Sequence, residues 1–307
     1  MSLDTADAPA ESTTATGRLV VTGASGQLGR GVVDALLARG VDAGRILATG
    51  RRTEALADLA AKGVATAHVD FADPSTIDAA LKTGDTLLLV SGSEVGNRVP
   101  QHRNVIDAAA RAGVARIVYT SAPKATTSTL ILAPEHKATE ELLAASGVPT
   151  TILRNGWYTE NYVGAYQQAV EAGSFIGSVG DGLVSSASRA DYAEAAAVAL
   201  ITDGLEGRVF ELSGDVAWSH DDLAAAFSEV AGTEITYRDL SSEEHTAALE
   251  AAGLDAGTVG FVVGLDANTR EGLLGVVNGE LAELIGRPTT PLVDGLRAAV
   301  GASVAAA

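Results

Sequence analysis

Eight consecutive residues, Thr22-Gly23-Ala24-Ser25-Gly26-Gln27-Leu28-Gly29, restrict the possible folds of this chain more than any other stretch. They follow directly on the apolar run Leu19-Val20-Val21 and open an Ala/Leu-rich run that stops at Gly40. Glycine is needed where a chain turns tightly, where backbone must approach a pyrophosphate, and where a helix must pack closely on a strand. The start of the following helix adds free N–H groups and a positive dipole end, both suited to phosphate. A glycine-rich connector with no ligand has the same composition. The strand before and the helix after argue instead for a dinucleotide held by Gly23, Ser25, Gly26, Gln27 and Leu28.

The pattern around this loop repeats. Apolar strand-like runs at 18–22, 45–49, 64–70, 86–91, 116–121 and 150–154 alternate with helical runs at 28–39, 54–62, 75–82, 100–112 and 134–146. Strands separated by helices of this length imply parallel βαβ units, and right-handed crossovers then give an α/β fold with a doubly wound, Rossmann-type parallel sheet. After about Gly156 the pattern loosens into helices near 161–172 and 190–201 and strands near 208–212 and 234–237. The expected organisation is a disordered tail over 1–17, a dinucleotide-binding domain over 18–156, and a smaller, mostly helical substrate lobe over 157–307. A return of the later chain to the sheet is allowed for.

Composition narrows the function. The 307 residues carry a net charge of −18, which disfavours nucleic acid, because phosphates need a basic surface. Cysteine is absent, which removes disulfides, thiolate metal sites and thiol catalysis together. No apolar run is long enough to span a membrane, and the small, polar N-terminus lacks the features of a signal peptide. The expectation is a cytoplasmic monomer or homodimer with a small-molecule substrate, no nucleic-acid or membrane partner, and no metal.

The 2′ position of the adenosine ribose is read at the end of the second strand. A carboxylate there accepts from the hydroxyl of NAD and repels a phosphate. This chain has Thr49-Gly50-Arg51-Arg52, and guanidinium groups match a phosphate dianion. NADPH is therefore expected over NADH, although Arg51 and Arg52 as solvated charges opening a helix is the plain alternative. The ends of the other strands complete the expected cofactor path: Asp70-Phe71, Ser91-Gly92-Ser93 and Thr120-Ser121. Each of these is also an ordinary turn or cap residue.

The chemical centre lacks a familiar part. Many reductases of this fold protonate a nascent alkoxide through a Tyr-x-x-x-Lys pair, and none of the six tyrosines here has lysine four positions later. An alcohol is about as weak an acid as water, so its alkoxide is strongly basic, whereas hydride addition to a quinone gives a phenolate whose phenol has a pKa of about 10. Loss of the acid thus favours quinones and similar electron-poor acceptors. Lys137, on the helix after the fifth strand, is a candidate to orient the nicotinamide ribose or to donate a proton. It is equally a solvated lysine pairing with Glu141. Asn155-Gly156-Trp157-Tyr158 follows the sixth strand, where an amide and two rings suit a flat substrate but also suit an aromatic joint between lobes.

At these residues the chain resembles the NmrA-like, atypical short-chain dehydrogenases, and within them the quinone oxidoreductase 2 type. Triphenylmethane reductase is a more distant likeness. The resemblance runs from Leu19 to about Pro291 and is densest at 22–29, 87–106, 153–162 and 186–192. It implies NADPH held by Gly23, Gly26, Gln27, Leu28, Arg51, Ser91 and Ser93. It also implies that Asn155 faces the nicotinamide, that Trp157 and Tyr158 lie near the substrate, and that hydride passes to a quinone without flavin. The chain departs from that pattern by the additional arginine after Gly50, by Lys137 in place of an apolar residue, and in Ala122-Pro123-Lys124. Two alternatives stand beside quinone reduction: a tailoring enzyme acting on a polycyclic aromatic polyketide, and a non-catalytic NAD(P)-sensing regulator.

Overall fold

The computed structural model describes residues 17–305, so the expected tail lies outside the described residues apart from Gly17. Among the described residues nine strands form: β1 (Leu19–Val21), β2 (Ile46–Gly50), β3 (Ala65–His68), β4 (Thr86–Leu89), β5 (Arg116–Ser121), β6 (Thr150–Asn155), β7 (Ser174–Gly177), β8 (Val209–Leu212) and β9 (Thr236–Asp239). Seven of them make one sheet in the order β3-β2-β1-β4-β5-β6-β8, parallel throughout.

Side chains along each central strand alternate between two cores, as a period of two requires. Leu19, Val21, Ile46, Ala48, Leu88, Val118 and Leu153 meet the helices Gln27–Ala38 and Arg189–Ile201 on one face. Val20, Leu47, Leu87, Leu89, Ile117 and Ile152 meet the helices Pro74–Ala80, Arg98–Ala112 and Ala133–Ala145 on the other. With both faces covered, the strands read as nearly unbroken apolar runs, which makes them legible in the sequence.

The later chain does return to the sheet. Helix Arg189–Ile201 packs on helix Gln27–Ala38, β8 extends the sheet beside β6, and the short helix Glu280–Ile285 joins the same core. A boundary at 156/157 therefore marks where the chain first leaves the sheet, with residues 189–212 belonging to it again. The remaining segments build a third core around Tyr166, Trp218, Phe227 and Leu296. There the expected strand at 234–237 appears as β9, paired in parallel with β7. β7 has no counterpart among the expected strands: it is four residues long and only half-buried, so it carries no clear periodicity.

Candidate functional site

Strand order places β1 between β2 and β4, so successive crossovers leave β1 in opposite directions and open a crevice at its carboxyl end. A cavity of about 310 Å³ lies there. Its floor is the glycine loop, with Gly23, Ser25, Gly26, Gln27 and Leu28; Arg51 and Arg52 come from the end of β2, Asp70 and Phe71 from β3, and Ser91, Gly92 and Ser93 from β4. Twelve of the expected cofactor residues thus line one groove, although they come from four separate strand ends.

The loop is built for a tight approach. Gly23 has φ +64°, the left-handed region that glycine enters freely. A Cβ on Gly29 would stand 2.5 Å from the Gly23 carbonyl oxygen, so only glycine lets the helix start this close to the loop. Helix Gln27–Ala38 has no side-chain cap at its N-terminus and no acid in its first turn. Its first N–H groups therefore face the groove without an internal acceptor, which suits an anion.

The wall after β4 is bolted down by buried groups. Gly92 N–H donates to His102 Nε2 at 2.9 Å, which leaves Nδ1 as the protonated nitrogen, donating to Thr139 Oγ1 at 3.0 Å. Arg98 reaches the Gly92 carbonyl oxygen and the Glu135 carboxylate, whose second oxygen accepts from Gly96 N–H. Burial, reinforced by the Arg98 charge, pushes the His102 pKa down to about 3. His136 shares a hydrogen bond with the buried Tyr119 hydroxyl and is likewise pushed down to about 3, mainly by burial.

The remaining expected residues lie elsewhere. Thr120 is buried, and its Oγ1 accepts from Ser91 N–H, so it shapes the groove from behind without lining it. Ser121 is turned away and donates to Glu140 Oε1 at 2.6 Å. That carboxylate also takes two hydrogen bonds from Arg154, at 2.7 and 3.0 Å, while Arg154 Nη1 holds Glu211 at 2.7 Å. The Glu140 hydrogen bonds, with those of Glu211, hold the Arg154 pKa well above its usual range. Arg154→Met is expected to strand the buried Glu140 carboxylate and cost about 3 kcal/mol of stability, measured by urea unfolding. A loss under about 1 kcal/mol would show that this network is unimportant.

Lys137 is exposed and lines neither cavity, and its side chain has no hydrogen bond or ion pair among the described residues, with Glu141 or otherwise. Helical phase explains this placement. Glu135 and His136 face the sheet and the β4 loop, and the next position turns outward.

Asn155 sits at the end of β6, one strand beyond β5, and is 5% exposed. Its Nδ2 donates to the Tyr158 hydroxyl at 3.1 Å, and its Oδ1 is buried with no partner among the described residues. An orphaned buried acceptor costs about 1–3 kcal/mol unless a ligand donates to it. Tyr158 packs edge-on against Tyr192, with the Arg189 guanidinium over its ring, and burial raises the pKa of its hydroxyl. Trp157 is half-buried against the core of the later lobe. Trp157 thus packs with the third core and Tyr158 with the first, and neither lines the two cavities.

A second cavity of about 90 Å³ continues along the same sheet edge, past the carboxyl ends of β5, β6 and β8. Pro123, Leu212, Leu273, Leu274 and Val276 give it apolar walls, and Ser213 and Asn278 are polar lining residues, hydrogen-bonded to each other. Lys124, at its edge, holds a left-handed φ of +46° and donates its N–H to Glu211. Glu94 and Gln101 also line the first groove and were not singled out in the sequence, although Glu94 directly follows Ser93. Among the described residues no cluster of His, Cys, Asp or Glu could hold a metal ion, and no helix is long and apolar enough to cross a membrane.

Comparison with known proteins agrees with this arrangement. The pattern of the NmrA-like family matches residues 15–265. Quinone oxidoreductase 2 of Escherichia coli (strain K12) is 45% identical over 276 residues, covering 90% of this chain and 96% of that protein. The crystal structure of that NADPH-dependent enzyme complexed with NADPH superposes with a TM-score of 0.86, covering 91% of this chain and 98% of the other. Triphenylmethane reductase of Citrobacter sp. superposes with a TM-score of 0.85 at 33% identity, covering 92% and 99%.

Proposed function

The chain belongs to the NmrA-like family, and from that premise we propose that it is an NADPH-dependent oxidoreductase passing hydride directly to a quinone or a similarly electron-poor aromatic. The carrying observation is the succession along one sheet edge: an anion-binding groove over β1 to β4, an unmatched buried acceptor on Asn155, then an apolar cavity beyond β6. Bound NADPH supplies the hydride. The chain's residues position both partners. The bare N-terminus of helix Gln27–Ala38 would hold the pyrophosphate, Arg51 and Arg52 would hold the 2′-phosphate, and Phe71 and Asp70 would flank the adenine end. Asn155 Oδ1, left without a partner among the described residues, would accept from the nicotinamide carboxamide, and its Nδ2 donates to the Tyr158 hydroxyl, which holds the side-chain amide in place.

The apolar cavity excludes water from one side of the acceptor ring. Direct transfer gives no role to flavin or metal. The reduced ring leaves as a phenolate, which water protonates. Lys137→Ala is accordingly expected to leave kcat with a simple benzoquinone within about twofold. A hundredfold fall would make Lys137 the acid.

The test of the whole reading is steady-state NADPH oxidation with a graded quinone panel. A cavity of about 150 Å³ admits benzene, so one of about 90 Å³ takes a single ring with an edge left in the open mouth. Single-ring quinones are expected to exceed fused polycycles in kcat/KM by about tenfold or more. Preference for polycycles would favour the tailoring enzyme. No turnover with any quinone, together with tight cofactor binding, would favour the sensor.

A further inference from the structure

The second strand ends without the acid that marks NAD-preferring proteins, yet the folded groove contains one. Glu94, from the loop after β4, places Oε1 2.8 Å from Arg51 Nη1. Its Oε2 accepts from Gln101 Nε2 at 2.9 Å. Because β2 and β4 flank β1, this ion pair crosses above the glycine loop, and Arg51, Glu94 and Gln101 all line the groove.

Both side chains of the bridge are exposed, and the backbone that carries them is pinned at each end. The Arg51 carbonyl oxygen meets His68 Nδ1 at 3.1 Å. The loop carrying Glu94 is pinned at Gly92 by His102 and Arg98, at Gly96 by Glu135, and across its own turn by Asn97 N–H on the Glu94 carbonyl oxygen. Arg52, beside the bridge, makes no ion pair among the described residues. The Glu94 carboxylate thus occupies the guanidinium that an incoming 2′-phosphate needs.

We propose that Glu94 is a specificity-determining residue, a resident competitor for the cofactor's 2′-phosphate on Arg51 that narrows the preference for NADPH over NADH. This rests on the reading of the groove as an NADP(H) site. A phosphate dianion must displace Glu94 from Arg51 or lie against its negative charge, and either weakens NADPH binding. A 2′-hydroxyl has no such conflict. It donates to the carboxylate, which serves from β4 as the acid absent from β2. Glu94 therefore acts on the ratio of the two cofactors, with Arg51 still favouring the phosphate.

Glu94→Gln tests this, since glutamine keeps an acceptor for Gln101 and removes only the charge. Dissociation constants for NADPH, NADH and 2′,5′-ADP are measured by calorimetry, without acceptor or turnover. The expected result is a Kd for NADPH and 2′,5′-ADP lower by about three- to tenfold, with NADH unchanged or weaker. Arg51→Ala, measured in parallel, is expected to weaken NADPH and 2′,5′-ADP selectively. If Arg51→Ala weakens NADPH while Glu94→Gln leaves it unchanged or weaker, the competitor role is overturned and the NADPH reading stands. If Arg51→Ala changes neither cofactor, both fall.

Discussion

Replacing Gly29 with valine is expected to raise the Kd for NADPH by about a hundredfold or more. The Cβ would stand 2.5 Å from the Gly23 oxygen, 2.7 Å from the Gly23 carbon and 2.9 Å from the Ala24 nitrogen, and all three are backbone atoms. None can swing aside as a flexible side chain would. Ala24 N–H is also tied to the Thr49 carbonyl oxygen at 2.8 Å, which fixes the loop to β2. The helix must therefore back away, carrying its N-terminal N–H groups from the phosphates, and a displacement of about 1 Å is enough for a loss of this size. The overpacking itself costs about 1–3 kcal/mol of stability. Gly164→Ala is the control: that helical glycine has nothing within 4 Å of the added carbon. Cofactor fluorescence titration gives the answer, and an affinity for NADPH within about threefold of the parent in Gly29→Val would contradict the assignment of this loop.

Acid is expected to destabilise the protein well above the pH at which carboxylates titrate. His102 and His136 stay neutral in the folded state down to about pH 3, because burial removes the water that would solvate their cations. In the unfolded chain each takes a proton near pH 6.5. Between those values the unfolded state binds more protons, so stability falls as pH falls. From pH 6 to pH 4 each histidine contributes a loss of about 2.5 kcal/mol, and the pair removes about 5 kcal/mol from a typical total of about 5–15. Burial lowers the pKa of His220 in the same direction. Protonating His102 also converts the acceptor of Gly92 N–H into a donor, which releases the wall of the cofactor groove. Chemical denaturation at stepped pH measures the slope. His136→Gln keeps a partner for Tyr119 and should remove only the share of the slope that His136 contributes, leaving those of His102 and His220. Stability that is flat from pH 6 to pH 4 would contradict the argument.

The sequence by itself determined what depends on neighbours in the chain. The glycine spacing at 23, 26 and 29 and the apolar run before it specify a strand, a tight loop and a helix, because backbone sterics and hydrogen bonding act over a few residues. Burial on both faces made β1, β2, β4, β5 and β6 legible as apolar runs, whereas β7, short and half-buried, left no pattern to read. The absence of a Tyr-x-x-x-Lys pair is likewise a local fact, and it pointed to acceptors that need little acid.

Tertiary structure decided what depends on strand order and helix phase. It brought Glu94 onto Arg51, residues 43 positions apart, and His102 beneath Gly92. It turned Lys137 outward, tied Ser121 into the Arg154 network, and put the apolar cavity where β8 returns beside β6. These follow from hydrogen-bonded pairing of strands distant in sequence and from burial of the whole sheet, and neither is written in any short stretch of residues.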